Sequence, residues 1–371
     1  MGPSAPDVAS LERAREEARV LLADGFKSLN AGRTTLLELA ERVADMAAAS
    51  NTPAMTRVLE EGAFNMYREA GNLQRAAERH VPFWINLGTD AEFEFAACPA
   101  GSFTMGCDDN PESENFKHKV NISRPFWMAR FQTTKRLYGI FRKLRKLSGE
   151  ELLYGGKDIP IGGLSREDVK EFCEFLMLGN KDRIPEGYVF RLPTDAEWEY
   201  ALNANCDDPS DPYVKFRSGD MSVEDEIAIT TNFVNRLRAE HGLARLNSGQ
   251  GPVFKVGTRR PNAWGIFDML GNGGEALLDT IPGVVKLQWG EGVFGASFDF
   301  GYKDGMADPV RWSSATNRLG LMRGTRRWRR FCPQWYGRVV IECERHWNGN
   351  FVFRLVLAPD ILRERGIGDG E

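Results

Sequence analysis

Apolar residues at Leu11, Ala14, Ala18, Leu21, Leu22 and Phe26 recur with a helical period and predict an amphipathic helix near the start of the chain. Thr35 with Glu38 three residues later forms a capping box, in which hydroxyl and carboxylate each satisfy a backbone N–H that the first helical turn leaves unbonded. A second helix begins there. Thr52 followed by Pro53 gives a third helix a cap and a favoured first residue, and Gly71 is placed to end it. A short fourth helix is expected around Leu73 to His80. Together these make an antiparallel helical hairpin or small bundle over residues 1–88, joined to the remainder near Leu87-Gly-Thr-Asp90. Two readings stay open for it: a structural extension packed on the rest of the chain, or a partner-docking module.

Beyond residue 88 the pattern mixes strand and helix. Ser165 with Asp168 starts another helix, and Cys173 on its buried face reads as a small core residue. In Arg191-Leu-Pro-Thr-Asp-Ala-Glu-Trp-Glu-Tyr-Ala201, Thr194 and Glu197 make a further capping box, and Pro193 blocks any helix before it. Trp198, Ala201 and Leu202 then share one face. Asp195, Glu197 and Glu199 lie at the helix start, where negative charge suits the dipole, so they require no acid–base role. Between Lys135 and Lys146, basic residues alternate with Leu137, Ile140, Phe141 and Leu144, which predicts an amphipathic surface helix with a solvated basic face.

Length and composition narrow the classes. A chain of 371 residues suggests about two domains. Its 38 glycines exceed the roughly 7% average and suit a loop-rich fold. No apolar run approaches the ~20 residues of a membrane helix, and the N-terminus lacks the basic and apolar regions of a signal peptide, so cytoplasmic residence and no membrane partner are expected. Six cysteines form no CxxC pair, and His80, His118, His241 and His346 show no ligand spacing, which leaves zinc and a disulfide scaffold without support. Neither a phosphate-binding glycine loop nor a Gly-x-Ser-x-Gly elbow is present.

Five segments in order carry a family resemblance: Cys98-Pro-Ala-Gly-Ser-Phe-Thr-Met-Gly106, the helix from Leu164 to Leu176, Arg191 to Ala201, Asn262 to Glu275 with its Gly-Asn-x-x-Glu ending, and Phe351-Val-Phe-Arg-Leu-Val-Leu357. From about Glu92 to Pro359 the chain resembles the formylglycine-generating enzyme (sulfatase-modifying factor) family, a branch of the C-type lectin fold. The resemblance implies an α+β protein: a C-type lectin-like domain over residues 89–371, preceded by the N-terminal helical segment. It would also imply copper-dependent oxidation of a sulfatase cysteine by two closely spaced cysteines. Here the C-terminal segment offers Cys332 and Cys343, eleven residues apart, and the matching positions fall near Gln334 and Val339. Those side chains cannot bind copper(I), which prefers thiolates, so copper is not expected and the protein is read as a non-enzyme. A formylglycine-generating-type copper oxidase is the alternative.

The same segment carries a different chemistry. From Arg323 to Arg338 there are six arginines, four aromatics and no acid; removing those six charges takes the net charge from −4 to −10. Arginine and large aromatics dominate binding hot spots because they present a planar donor fork or a rigid surface. The candidate ligand-binding residues are Arg326, Arg327, Trp328, Arg330, Phe331, Gln334, Trp335, Tyr336, Arg338, Glu342, Arg345, His346, Trp347 and Asn348. A plain strand face with aromatics in the core is the competing reading. The interval 324–350 also resembles, in length and position, the diversified segment of the variable proteins of diversity-generating retroelements, which share the lectin-like scaffold. That implies non-covalent binding of a protein or other acidic ligand. Nucleic acid binding through arginine and aromatic residues is a second alternative, disfavoured by the acidic remainder of the chain.

In the formylglycine-generating family a calcium ion sits in the loop that ends Gly-Asn-x-x-Glu, and Asp268, Gly271, Gly273 and Glu275 stand at the matching positions. Two carboxylates and two carbonyls would suit a hard cation. A metal-free turn is the other reading.

Overall fold

The computed structural model describes residues 6–87, 92–106, 117–147, 156–208, 210–211, 213–215, 254–281, 303–313, 319–324, 339–342 and 351–367. Four helices come first: α1 (Val8–Asn30), α2 (Leu36–Ala49), α3 (Pro53–Glu69) and α4 (Leu73–Glu78). Their starts reflect the capping chemistry. Thr35 and Glu38 form the reciprocal box, the Thr52 hydroxyl accepts from the Met55 N–H with Pro53 in the first turn, and Gly71 succeeds α3 with a φ of +68°. The stripe that α1 buries runs through Leu11, Ala14, Ala18 and Gly25, with Leu22 and Leu29 packed beside it. Leu21 and Phe26 lie outside that stripe and are 54% and 42% exposed, contrary to the pattern reading. They fall on opposite flanks of a face that three small residues keep narrow.

The helical segment shares a core with the strands C-terminal to it. Strand β1 (Phe83–Asn86) pairs antiparallel with β2 (Glu92–Cys98), and this hairpin forms one edge of a five-stranded antiparallel sheet. The sheet continues through β5 (Phe126–Ala129) and β12 (Val356–Pro359) to β6 (Tyr188–Arg191). Phe64 of α3 packs edge-on against Trp127, with ring centroids 5.1 Å apart, and at 4.8 Å from Phe83. The Trp127 indole N–H donates to the Val81 carbonyl at 2.9 Å. Helices and sheet thus bury their apolar faces in one cluster.

Strand alternation explains how one sheet serves two cores. Phe95, Ala97, Trp127, Ala129, Phe190 and Leu357 lie on the side of the sheet covered by α3 and the helix α6 (Arg166–Asn180). Ala96, Cys98, Phe126, Met128, Val356 and Ala358 face the opposite way, toward α7 (Asp195–Asn203). Strands buried on both faces read as continuous apolar runs rather than alternating ones, as Phe126-Trp-Met-Ala129 does. Helix α5 (Lys135–Leu144) buries Leu137 and Phe141 as expected, and Tyr138 with them, but Ile140 is half-buried and Leu144 at its last turn is 59% exposed.

Two smaller sheets complete the described fold. Strands β3 (Gly101–Met105) and β4 (His118–Ile122) pair antiparallel, with β8 (Met306–Ala307) parallel to β4. The other has the order β10-β9-β7-β11, from β7 (Gly274–Ile281), β9 (Leu319–Arg323), β10 (Val339–Glu342) and β11 (Phe351–Phe353). Only the β11–β7 pairing in it is parallel. A final short helix, α8 (Ile361–Glu364), covers the end of β12. No described helix is long and apolar enough to cross a membrane.

Candidate functional site

The arginine- and aromatic-rich interval leaves the fold from β9 and re-enters it at β11, with β10 between. Of the fourteen residues assigned to ligand binding, Arg326, Arg327, Trp328, Arg330, Phe331, Gln334, Trp335, Tyr336, Arg338, Arg345, His346, Trp347 and Asn348 lie outside the described residues. Glu342 ends β10, where its backbone pairs with Leu319. Cys332 and Cys343 also lie outside. The described structure shows how the two ends of this interval are held.

The outgoing end is fixed by Arg323, the last residue of β9, which is fully buried. Its guanidinium forms ion pairs with Asp195 at 2.5 Å and Glu199 at 2.7 Å, and lies over the Trp198 ring. The two acids are four residues apart on α7, so both project from one face of the helix. Glu199 also accepts from the Gly106 N–H at 2.7 Å. Asp279 of β7 accepts from the Asp195 N–H and the Arg311 N–H, each at 2.8 Å. Burial, and then the Asp195 carboxylate beside it, push the Asp279 carboxyl up to about 7. Glu197 points elsewhere: it takes a two-pronged contact from Arg191, both prongs at 2.7 Å, as well as the capping bond from the Thr194 N–H. The three acids of α7 are therefore buried partners of two arginines as well as acids at a helix start.

Gly324 comes next with a φ of +81°, and its carbonyl accepts from Gly271 N–H at 2.9 Å. A Cβ here would lie 3.0 Å from the Met269 carbonyl and 3.3 Å from the Trp198 ring, so this turn needs glycine for both conformation and space.

The returning end is fixed by Arg354, directly after β11 and also fully buried. All five of its N–H donors are used. Nε and one Nη2 proton meet the two Glu275 oxygens at 3.0 and 2.8 Å, and the others reach the carbonyls of Ala129, Arg130 and Phe267 at 2.7–2.9 Å. Glu275 accepts two more bonds, from the Trp198 indole at 2.8 Å and the Gln132 amide at 2.9 Å. That amide nitrogen also approaches the carbonyls of Gly271 at 3.2 Å and Asp268 at 3.4 Å.

This geometry bears directly on calcium. The structure brings Asp268, Gly271, Gly273 and Glu275 onto one turn, with Asp268, Gly271 and Gly273 all at positive φ. The residues do not fit the ion. Both Glu275 oxygens are committed to Arg354, whose charge would repel a cation, and the Gln132 amide donates to two of the oxygens a metal would need, the Gly271 carbonyl and a Glu275 carboxylate oxygen. Asp268 has one oxygen on the Gly257 N–H at 2.7 Å, and burial raises its pKa from the ordinary carboxylate value. Among the described residues no group of three or more His, Cys, Asp and Glu side chains could hold a metal. Protein freed of metal and then titrated to millimolar calcium is expected to melt at an unchanged temperature. A rise that saturates with calcium, as mass action requires of a ligand binding the native state, would contradict this.

Sequence reasoning missed Gln132, Asp279, Arg323 and Arg354 as site-forming residues, and also Asn272. The Asn272 amide exchanges two hydrogen bonds with the Phe254 backbone, at 2.7 and 3.1 Å. One signal was present: Asp195 and Glu199 at an i, i+4 spacing on a helix with an apolar surround call for a buried cation. No local pattern pointed to Gln132, which reaches the loop across 143 residues of sequence.

Residues 90–286 match the family of sulfatase-modifying factor enzyme 1-like domains, and the chain belongs to that family. Its fold is the C-type lectin-like fold of that family, with a helical segment in front. No curated protein matches the chain. Among solved structures it is similar to Treponema denticola variable protein 1, at 17% identity over 75% of this chain and 99% of that one, with a TM-score of 0.51. PvdO from Pseudomonas aeruginosa is 19% identical over 74% of this chain and 97% of its own, with a TM-score of 0.49. CarF is 16% identical over 71% and 97%, at 0.43. At these identities the likeness concerns the fold.

Proposed function

We propose that this protein binds a ligand without chemistry, using residues 326–348 as the contact surface, and that the ligand is a protein or other acidic molecule. The observation that carries the reading is the anchoring of both ends of that interval by buried arginines, Arg323 and Arg354, each neutralised by carboxylates from other elements. Such anchors hold a segment's ends independently of the residues between them, which suits a surface selected for contact. The segment's six arginines would clamp carboxylates in pairs, and Trp335 and Tyr336 would supply rigid area. The fold shared with a variable protein supports the further step that the segment is diversified. A reverse transcriptase gene nearby, with a near-copy of the segment's coding sequence differing chiefly at adenines, is the expected genomic setting.

A panel of acidic peptides screened by fluorescence anisotropy tests the binding reading. Selective binders should lose roughly tenfold or more in affinity on Trp335→Ala or Tyr336→Ala, and less on Arg326→Ala. Similar affinity for unrelated single-stranded nucleic acids, falling steeply with salt and abolished at Arg326, Arg327 and Arg330, would replace the ligand class. Copper(I)-loaded protein is expected not to convert a sulfatase-type cysteine peptide. Turnover lost in Cys332→Ser or Cys343→Ser would replace the reading with catalysis.

A further inference from the structure

Where α3 meets the edge of the five-stranded sheet, four carboxylates and four guanidiniums share one seam. Helix α3 brings Arg57, Glu60 and Glu61, β2 brings Glu92 and Glu94, Arg130 lies just past β5, and Arg183 just past α6. Trp84 of β1 lies among them. The cations have partners. Arg57 is 2.9 Å from Glu61 and 3.3 Å from Glu92, and its guanidinium lies 3.9 Å above the Trp84 ring. Arg183 makes a second contact to Glu61 at 3.3 Å. Arg130 pairs with Glu94 at 2.5 Å and donates its Nε to the Gly265 carbonyl at 2.9 Å. Glu60 instead takes its hydrogen bond from a neutral donor, the Trp84 indole, at 3.1 Å. Arg15 of α1 makes a third contact to Glu61 at 3.9 Å, so with every group ionised the seam carries four charges of each sign, and among its described residues Glu60 is the carboxylate with no arginine at ion-pair distance.

We propose that Glu60 is a proton-operated latch between the N-terminal helices and the lectin-like sheet: protonated, it lies neutral in the seam and still accepts from Trp84, and ionised, it sets a half-buried carboxylate against Glu94 and loosens α3 from β1 and β2. The groups facing Glu60 act in both directions. Burial, then the Glu94 charge, push its carboxyl up to about 7, and the Trp84 hydrogen bond, followed by Arg57 and Arg130, opposes this without cancelling it. Burial raises Glu94 as well, although Arg130 holds it. The folded state therefore binds a proton at Glu60 that an unfolded glutamate releases near pH ~4.3. Opening is consequently hardest at acid pH, becomes easier as pH climbs from the unfolded value to about 7, and then levels off. Between pH 6 and pH 8 the change amounts to about tenfold in the opening equilibrium.

Hydrogen exchange on the full chain, corrected for the intrinsic pH dependence of amide exchange, reads this directly. Amides of α3 and β1 are expected to lose about tenfold in protection from pH 6 to pH 8 in the wild type. Glu60→Gln should remove that loss, because the amide keeps an acceptor for Trp84 without titrating. Glu94→Gln should retain the loss but move its midpoint to lower pH, which keeps the proposal testable if the first variant folds poorly. Asp279→Asn should leave this seam unaffected, although Asp279 titrates in the same range. Equal loss in wild type and Glu60→Gln, or no loss in the wild type, would overturn the latch.

Discussion

Glu275→Gln is expected to destabilise the protein by about 3–5 kcal/mol, the cost of leaving one member of a buried ion pair without its counter-charge. Arg354 and Glu275 are both fully buried, and no water competes for the five guanidinium bonds. Glutamine keeps the shape and one acceptor but leaves the Arg354 charge dry and unneutralised. Arg354→Met should cost a similar amount for the opposite reason, since Glu275 would retain only the Trp198 and Gln132 donors. The double variant Glu275→Gln/Arg354→Met separates a coupled pair from two independent losses: its destabilisation should fall well short of the sum of the two. Urea unfolding at pH 7 measures all three. Single-variant losses below about 1 kcal/mol, or a double variant at the full sum, would show that the returning end of the candidate binding segment is held by packing alone.

The part of the fold that was legible in the sequence is the part set by local chemistry. Thr35, Thr52, Ser165 and Thr194 each cap a helix where the spacing of their partners placed it, because a cap depends on residues three positions apart. Burial is a different matter. Leu21, Phe26 and Leu144 fit an apolar period, yet whether such a residue is covered depends on which neighbour packs there, and none of the three is. The buried acids of α7 show the same limit at the site. Dipole chemistry accounts for acids at a helix start, but Asp195 and Glu199 are held by Arg323, which is 128 residues from Asp195 along the chain. Gln132 is the extreme case, an uncharged side chain in a stretch with no motif that organises a loop more than a hundred residues away. The glycine-rich turn itself was legible, but not the donor that fills it.

Arg323→Met should be the most pH-sensitive lesion in the molecule. Removing this cation leaves Asp195 and Glu199 buried on one face of α7 with Asp279 hydrogen-bonded at its start, three carboxyl groups in a dry space with no counter-charge from Arg323. At pH 7.5 the expected loss is about 3–5 kcal/mol, as for other broken buried pairs. The sign of the pH dependence comes from the carboxyls. A carboxyl whose folded pKa lies above its unfolded value costs stability above the folded pKa, and that cost fades as pH falls toward the unfolded value near ~3.9. Asp279 already behaves this way with Arg323 present, its carboxyl standing at about 7. Without Arg323, Asp195 and Glu199 join it, so the folded variant takes up protons that the wild type does not. The stability gap between variant and wild type should therefore narrow at pH 5 and widen at pH 7.5, measured by chemical unfolding at both. Arg191→Met, which breaks the Glu197 pair six residues away in sequence, serves as a comparison in which one buried carboxylate rather than two loses its cation. A gap for Arg323→Met that is the same at both pH values would mean that its carboxylates find other partners. In that case Gly324, wedged against Met269 and Trp198, would be what fixes the outgoing end of the segment.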